Sequence, residues 1–186
     1  MLLEDLAQDM AKEAIDVGLH VGVLPHSIGT ARLIGKMQRV IVASPAYLAR
    51  YGTPAVPSDL AQHRIVRGPI SWKESAWHFK RDGEVVTVPV SHHVSLNDTA
   101  GTLAAAIGNL GVTSTTSWAC HRELESGSLV QVLHEWEMTE IPVHAYIPLG
   151  RSSRLAARTF LDFLAAELVR DWQDLHSNLA QPKRGG

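Results

Sequence analysis

The side chains that could bind a metal ion are ten histidines and a single cysteine, Cys120. His92 and His93 are adjacent, and on a strand they would point to opposite faces. Three other histidines fall on separate predicted elements: His121, His134 and His144. The sequence has no His-Glu-x-x-His motif, and one thiol is too few for a cysteine-rich site, so we predict no metal site.

The residues that could act as nucleophiles give equally little support for catalysis. No Gly-x-Ser-x-Gly motif is present, so a hydrolase serine would lack its usual frame. Cys120 lies on a predicted helix behind Trp118, and nothing marks a base beside it, which favours a buried structural thiol. The segment 108–111 is not a dinucleotide loop, and no phosphate-binding loop occurs. We therefore predict a protein that is not an enzyme and has no cofactor.

Composition limits the remaining functions. The 186 residues carry a net charge of -2, which suits one domain or two small lobes and argues against a nucleic-acid-binding surface. The single cysteine excludes an internal disulfide and fits a reducing compartment. No apolar run reaches the roughly 20 residues that span a bilayer, and the first ten residues do not resemble a signal peptide. The prediction is a cytoplasmic protein without membrane contact.

Hydrophobic periodicity and turn residues predict strands that alternate with helices. Strands are predicted over 16–23, 39–43, 64–66, 94–96, 111–114, 129–133 and 143–147, with a hairpin over 77–90. Helices are predicted over 5–14 and 117–126, and from starts at Ser44, Pro57, Asn97 and Ser152. This order indicates an α/β fold with mainly parallel sheets.

A small ligand could bind where strands lead into helices or turns. Asn97, Asp98 and Thr99 open a predicted helix, whose free backbone N–H groups and positive dipole end suit an anion. A simple helix cap is the alternative, and the Asp98 carboxylate would itself repel an anion. We keep the three residues as candidate ligand contacts.

Other candidate contacts follow predicted strands in the same way. Ordinary turns or solvated loops are the alternative interpretation for each of them. The candidates are Gly22, Val23, Leu24 and Pro25 after the first strand, Gly68 and Pro69 after another, and Thr115 after a third.

The order of motifs resembles one known family. The segment 9–22 resembles a helix leading into a strand in LysR-type regulators, with Ala14 where glycine is usual and His20 where arginine is usual. Further matching segments follow in family order at 31–35, 40–49, 52–54, 57–63, 97–98, 108–111, 124–130 and 154–163. The most specific pair is Ser-Pro-Ala-Tyr-Leu at 44–48 with Pro-Ser-Asp-Leu at 57–60. Together the matches cover 5–172, so the chain resembles the effector-binding domain of this family.

The resemblance implies a two-lobed fold like that of the type II periplasmic binding proteins. The first lobe would hold 1–39 plus 148–186, the second 40–147, and the ligand cleft would lie between them. The effector would be a small molecule, with a small organic acid as one candidate, and the domains would form dimers or tetramers. DNA would be bound through a winged helix-turn-helix outside this chain. The family domain also begins with a strand and a helix that this sequence lacks, which implies an incomplete first lobe with exposed apolar faces.

Three functions remain open. The first is a ligand sensor that controls a DNA-bound regulator. The second is a truncated, stand-alone relative of such regulators that acts by protein–protein association. The third is a solute-binding protein or an enzyme on the same fold, against which the missing secretion signal and the missing catalytic residues argue.

Overall fold

The structure is a computed structural model that describes residues 16–24, 30–72, 74–147 and 155–179, with the backbone alone for 168–179. The helices are α1 (Pro45–Tyr51), α2 (Thr99–Ile107), α3 (His121–Ser126) and α4 (Leu155–Leu179), with short 3-10 helices at Pro57–Gln62 and Pro69–Ser71. The strands are β1 (Gly18–Val21), β2 (Thr30–Met37), β3 (Arg39–Ala43), β4 (Ile65–Arg67), β5 (Ala76–Arg81), β6 (Glu84–Pro89), β7 (His92–Ser95), β8 (Val112–Thr116), β9 (Val130–Val132), β10 (Glu137–Met138) and β11 (Ile141–Ile147).

The described residues divide into two compact units. The large unit comprises 38–140, and the small unit combines 16–37 with 141–179. The chain changes unit at 37/38 and 140/141, so β11 lies in the small unit, where it pairs with β1 and β2. The assignment of 1–39 plus 148–186 and of 40–147 to two lobes stays a prediction.

A five-stranded sheet in the order β7-β4-β8-β3-β9 forms the centre of the large unit. Strand β4 runs parallel to β7 and β8, whereas β3 runs antiparallel to β8 and β9. All five residues of β3 are buried, as an apolar run at the middle of a covered sheet should be. One face packs against Tyr47, Trp77 and Phe79, and the other against α2.

The hairpin of the large unit forms where the sequence predicts it. Strands β5 and β6 pair antiparallel from Ala76↔Pro89 to Arg81↔Glu84, around a turn with positive φ at Asp82 and Gly83. Trp77, Phe79 and Val88 point from the hairpin into the main core. The hairpin therefore covers one face of the five-stranded sheet.

The small unit is a three-stranded antiparallel sheet, in the order β1-β11-β2, covered by α4. Val143, Ala145 and Ile147 alternate along β11 and pack with Ala157 and Leu161 of the helix. Part of the apolar surface stays exposed in this unit: Leu19, Val21, Val23, Leu33, Phe160 and Phe163. No helix in the described part of the chain is long and apolar enough to cross a membrane.

Several local predictions are confirmed by cap geometry. Ser44 caps α1 by accepting a hydrogen bond from the Tyr47 N–H at 3.2 Å, and Asp98 caps α2 by accepting one from Gly101 at 2.6 Å. Gly127 ends α3 in the left-handed conformation, with φ 74. The predicted helix at Pro57 is a 3-10 helix. The predicted helix at 5–14 and the cap at Ser152 lie outside the described residues.

One expectation about the sheets is wrong, and one strand was not predicted. Among the described strands the parallel pairs are β4 with β7 and β4 with β8, and the other six pairs are antiparallel, so the sheets are not mainly parallel. An apolar run shows that a strand is buried, but its direction depends on the connections before and after it. Strand β2 was not predicted, because Arg32, Gly35 and Lys36 interrupt its apolar residues, which an edge strand tolerates.

Candidate functional site

One edge of the five-stranded sheet gathers the candidate residues of the large unit. The parallel strands β7, β4 and β8 end there, and β3 begins there at Arg39, which pairs with Thr116. We call it the carboxyl edge, after the ends of the parallel strands. In α/β sheets ligands bind outside this edge, because strand ends leave backbone groups and loops that face a crevice. Gly68, Pro69, Asn97, Asp98 and Thr99 follow these strand ends directly.

Gly68 joins the end of β4 to the 3-10 helix Pro69–Ser71. Its carbonyl oxygen accepts a hydrogen bond from Ser71 Oγ at 3.3 Å. A β-carbon at Gly68 would lie 2.9 Å from Thr102 Oγ1, which is closer than β-carbons approach other atoms. The glycine therefore lets the strand end lie directly against the first turn of α2.

The residues Asn97, Asp98 and Thr99 form the start of α2, as predicted. Asp98 is the cap, and its carbonyl oxygen also accepts a hydrogen bond from Thr102 Oγ1 at 2.7 Å. One of the free N–H groups of the first turn, that of Gly101, therefore already donates to the Asp98 carboxylate. A negative charge is already present at this helix end, so an anionic ligand would bind beside it and not on it.

Thr115 was predicted to follow its strand, but it lies within β8. Its exposed fraction is 4 %, and it is paired with Val40 of β3. The strand continues to Thr116 because β3 lies alongside it and supplies hydrogen-bonding partners that the local sequence does not reveal. Thr116 Oγ1 in turn accepts a hydrogen bond from the Ala119 N–H at 3.3 Å.

The candidates of the small unit form a tight turn after β1. Gly22 has φ +112, which favours glycine, and its N–H donates to the Pro142 carbonyl at 2.8 Å. His20 Nε2 lies 3.1 Å from the Val23 carbonyl oxygen. The Val23 side chain is exposed, Leu24 is half-buried, and Pro25 lies outside the described residues. Ligand binding by these residues stays a prediction.

Arg39, which starts β3 at the carboxyl edge, is not among the residues predicted from the sequence. Its exposed fraction is only 6 %. Its two terminal nitrogens donate to the two carboxylate oxygens of Glu74 at 2.8 and 2.5 Å, and Nε donates to Ser114 Oγ at 2.5 Å. The place of Arg39 at the start of a predicted buried strand could have identified it, because a buried arginine needs partners for its charge.

Arg67 is a second arginine at this edge that the sequence analysis did not identify. Its Nε donates to Ser95 Oγ at 3.2 Å, and its guanidinium carbon lies 5.1 Å from the centre of the Trp72 ring. Trp72 is 45 % exposed, which is unusual for tryptophan. The edge therefore offers a cation and an accessible aromatic ring side by side.

Two reactive side chains of the large unit, Cys120 and His63, are buried. Burial raises the pKa of the Cys120 thiol to about 12, and the nearby Glu123 adds to this. His63 is buried against Tyr47, with His63 Nδ1 3.3 Å from Tyr47 Oη, and burial lowers its pKa. Among the described residues no three histidine, cysteine or acidic side chains are grouped as metal ligands.

The known proteins that this chain resembles are transcription regulators. Residues 2–169 match the model of the LysR substrate binding domain. The chain is 33% identical over 135 residues to the probable HTH-type transcriptional regulator LtrA of Klebsiella pneumoniae, covering 73% of this chain and 44% of that protein. It is 29% identical to the HTH-type transcriptional regulator PtxR of Pseudomonas aeruginosa, covering 92% of this chain and 55% of the regulator.

A solved structure with the same fold is the full-length Vibrio cholerae virulence activator AphB, a member of the LTTR protein family. The two superpose with a TM-score of 0.72 at 26% identity, covering 89% of this chain and 56% of AphB. The chain spans about half the length of the curated regulators it matches.

Proposed function

The chain belongs to the LysR substrate-binding domain family, and from this we propose that it senses a small metabolite for a LysR-type transcription regulator. The metabolite would bind between two lobes, as the family resemblance implies. The residues of the carboxyl edge and the turn at Gly22–Leu24 stay the candidate contacts. A small organic acid is the effector class that the arginines favour.

The observation that carries this proposal is the convergence of binding groups at one sheet edge. Three segments that are distant in sequence come together there: Arg39, the consecutive residues Arg67 and Gly68, and the start of α2. Hydrogen-bond donors on rigid strand and helix ends hold a ligand more precisely than donors on long loops.

Regulation would follow from different ligand affinities in two conformations. A ligand that binds one arrangement more tightly shifts the population toward it, by no more than its difference in binding free energy. The regulator would contact DNA through a separate helix-turn-helix, as the HTH-type names of its relatives suggest. It would act from the cytoplasm as a dimer or tetramer. This domain would not touch DNA.

A second candidate function is protein–protein association by a stand-alone chain, with full-length regulators as partners. The exposed apolar residues of the small unit favour it: Leu19 and Val21 lie on β1 at the end of the described sheet, and Phe160 and Phe163 lie on α4. An open apolar strand edge promotes pairing with another chain. Light scattering of the purified chain, with and without Leu19→Lys, measures such association directly.

Thermal unfolding with a ligand panel tests the sensor function. The panel contains small organic acids, amino acids and aromatic carboxylates. A ligand at 100 times its dissociation constant stabilises the folded state by about 2.7 kcal/mol. Each kcal/mol raises the melting temperature of a domain this size by about 2–4 °C. One compound class should raise a cooperative transition; a cooperative transition that no compound shifts would contradict ligand sensing by this chain.

A further inference from the structure

Arg39 and Arg67 project from the same face of the five-stranded sheet. Arg39 is two residues before Ile41, and Arg67 is two residues after Ile65, and both isoleucines belong to the main core. Side chains two residues apart on a strand share a face. Strand β8 lies between the two arginine strands, so their backbones are about 10 Å apart across the sheet. Two guanidinium groups thus flank the same short stretch of the carboxyl edge.

The two arginines differ in whether a carboxylate of the protein forms an ion pair with them. Glu74 occupies Arg39 in a two-pronged pair, and Ser114 takes its third nitrogen. Arg67 makes a hydrogen bond through Nε to Ser95 and stacks on Trp72. Within the described part of the chain no carboxylate pairs with Arg67. Its two terminal nitrogens are the groups with which arginine binds carboxylates in two-pronged fashion.

We propose that Arg67 and Trp72 form the recognition subsite for a planar monocarboxylate, and that Glu74 prevents a second carboxylate from binding to Arg39. This inference rests on the proposed function, because it assigns the effector class of the same edge. Arg39 and Glu74 neutralise each other, and the Asp98 carboxylate at the start of α2 accepts from the Gly101 N–H, so the charge of Arg67 is the one assigned to a single ligand carboxylate. The half-exposed indole of Trp72 provides a flat apolar surface for the rest of the ligand.

Charge substitutions at Arg67 test the first half of the proposal. The probes are benzoate and its uncharged counterpart benzamide, and binding is measured by calorimetry on the 186-residue chain. Arg67→Gln should weaken benzoate binding about 10- to 100-fold, as expected for loss of hydrogen bonds to a charged group. Arg67→Lys should weaken it less, because lysine keeps the charge but loses the two-pronged geometry. Benzamide should bind weakly to all variants.

Arg64→Gln is the matched control. Arg64 immediately precedes the same strand at its other end, and its guanidinium lies over Tyr51, 5.6 Å from the ring centre. The Arg64→Gln substitution removes the same charge from the protein at a different place. If contacts at the site and not net charge decide binding, benzoate affinity should stay within about threefold of the wild type. Equal losses in Arg64→Gln and Arg67→Gln would overturn the assignment of Arg67.

Terephthalate, which is benzoate with a second carboxylate, tests the role of Glu74. The wild type should prefer benzoate, because the second carboxylate would meet Glu74. Glu74→Gln removes this charge, and terephthalate affinity should then rise about tenfold or more. A wild type that binds terephthalate as tightly as benzoate overturns the exclusion by Glu74, even if the variant does not fold.

The outcomes separate this inference from the proposed function. If the wild type binds amino acids of the panel but not benzoate or another planar monocarboxylate, the sensor function stands and the planar-monocarboxylate subsite is wrong. If benzoate binds and Arg67→Gln does not weaken it, the sensor function again stands and Arg67 is not the anion contact. If no compound of the panel binds a cooperatively folded chain, the sensor function itself fails.

Discussion

The Thr102 side chain lies directly against the α-carbon of Gly68. A β-carbon at Gly68 would be 2.9 Å from Thr102 Oγ1 and 3.0 Å from its Cγ2. The Thr102 hydroxyl is held in place because it donates to the Asp98 carbonyl at 2.7 Å. This close approach connects the end of β4 to the first turn of α2, and so fixes the spacing of two predicted ligand contacts.

Gly68→Ala should therefore destabilise the protein by about 1–3 kcal/mol, the usual cost of overpacking a close contact. Thr102→Ala in the same chain should recover part of the loss, because it removes the two nearest of the three Thr102 atoms that the new methyl group would meet. Urea unfolding of the wild type, the two single variants and the double variant gives the coupling. Additive effects would show that the new methyl group is accommodated without Thr102.

The local elements could be predicted largely from the sequence. The hairpin β5–β6, the caps at Ser44 and Asp98 and the end of α3 at Gly127 each depend on residues within a few positions of one another. Strand direction and strand ends could not be predicted in this way. Thr115 lies inside β8 because β3 pairs with it, and those two strands are separated by about seventy residues of chain.

The site was predictable in part for the same reason. Asn97–Thr99 and Gly68 follow predicted strands, so their place at a sheet edge follows from strand order. The pairing of Arg39 with Glu74 joins residues 35 positions apart. Glu74 lies between the 3-10 helix Pro69–Ser71 and β5, and no local pattern specifies its position. The stacking of Arg67 on Trp72 likewise depends on the short 3-10 helix that follows Gly68.

The Cys120 thiol should be unreactive in the folded protein. Its exposed fraction is 0 %, and burial raises its pKa from 9.0 to about 12, so little thiolate forms at neutral pH. A disulfide reagent at pH 8 should label the native chain only as fast as it unfolds, and label the chain in guanidinium chloride at once. Rapid labelling of the native chain would contradict this burial.

The same raised pKa predicts a loss of stability at high pH. The unfolded thiol ionises near its ordinary pKa of 9.0, while the folded thiol stays protonated up to about 12. The contribution of Cys120 is complete below pH 9 and declines as the pH rises between these two values. Cys120→Ala should show a smaller decline of the unfolding free energy over this range. An identical decline in both proteins would argue against the shift.

His63 should make the protein sensitive to mild acid. Burial lowers its pKa below the ordinary 6.5, with a smaller opposite effect of Asp59, so the unfolded chain takes up the proton first. The free energy of unfolding should fall as the pH decreases below 6.5, and be unaffected by His63 above it. His63→Asn should reduce this slope, whereas His93→Asn, at an exposed position, should not. Equal slopes in both variants would contradict the assignment.

The contributions of Arg39 and Glu74 to stability should be strongly coupled, because the charge of Arg39 is buried and Glu74 is its counter-ion. The side chain of Arg39 is 4% exposed and that of Glu74 34%. Removing Glu74 leaves a buried charge without its counter-ion, so Glu74→Gln should cost about 1–3 kcal/mol of stability. Arg39→Met removes the charge itself, and leaves only Ser114 and the half-exposed carboxylate without a partner.

A double-mutant cycle measures this coupling through urea unfolding in the absence of ligand. Once Arg39 is methionine, Glu74→Gln should have little further effect, because no buried charge then remains to be neutralised. The coupling energy should lie within about 0.5–3 kcal/mol, the range for contacting pairs. It should also change little between low and high salt, since buried pairs are screened less than exposed ones. Additive losses in the cycle would mean that the two side chains stabilise the fold independently, and that Glu74 does not neutralise Arg39 in solution.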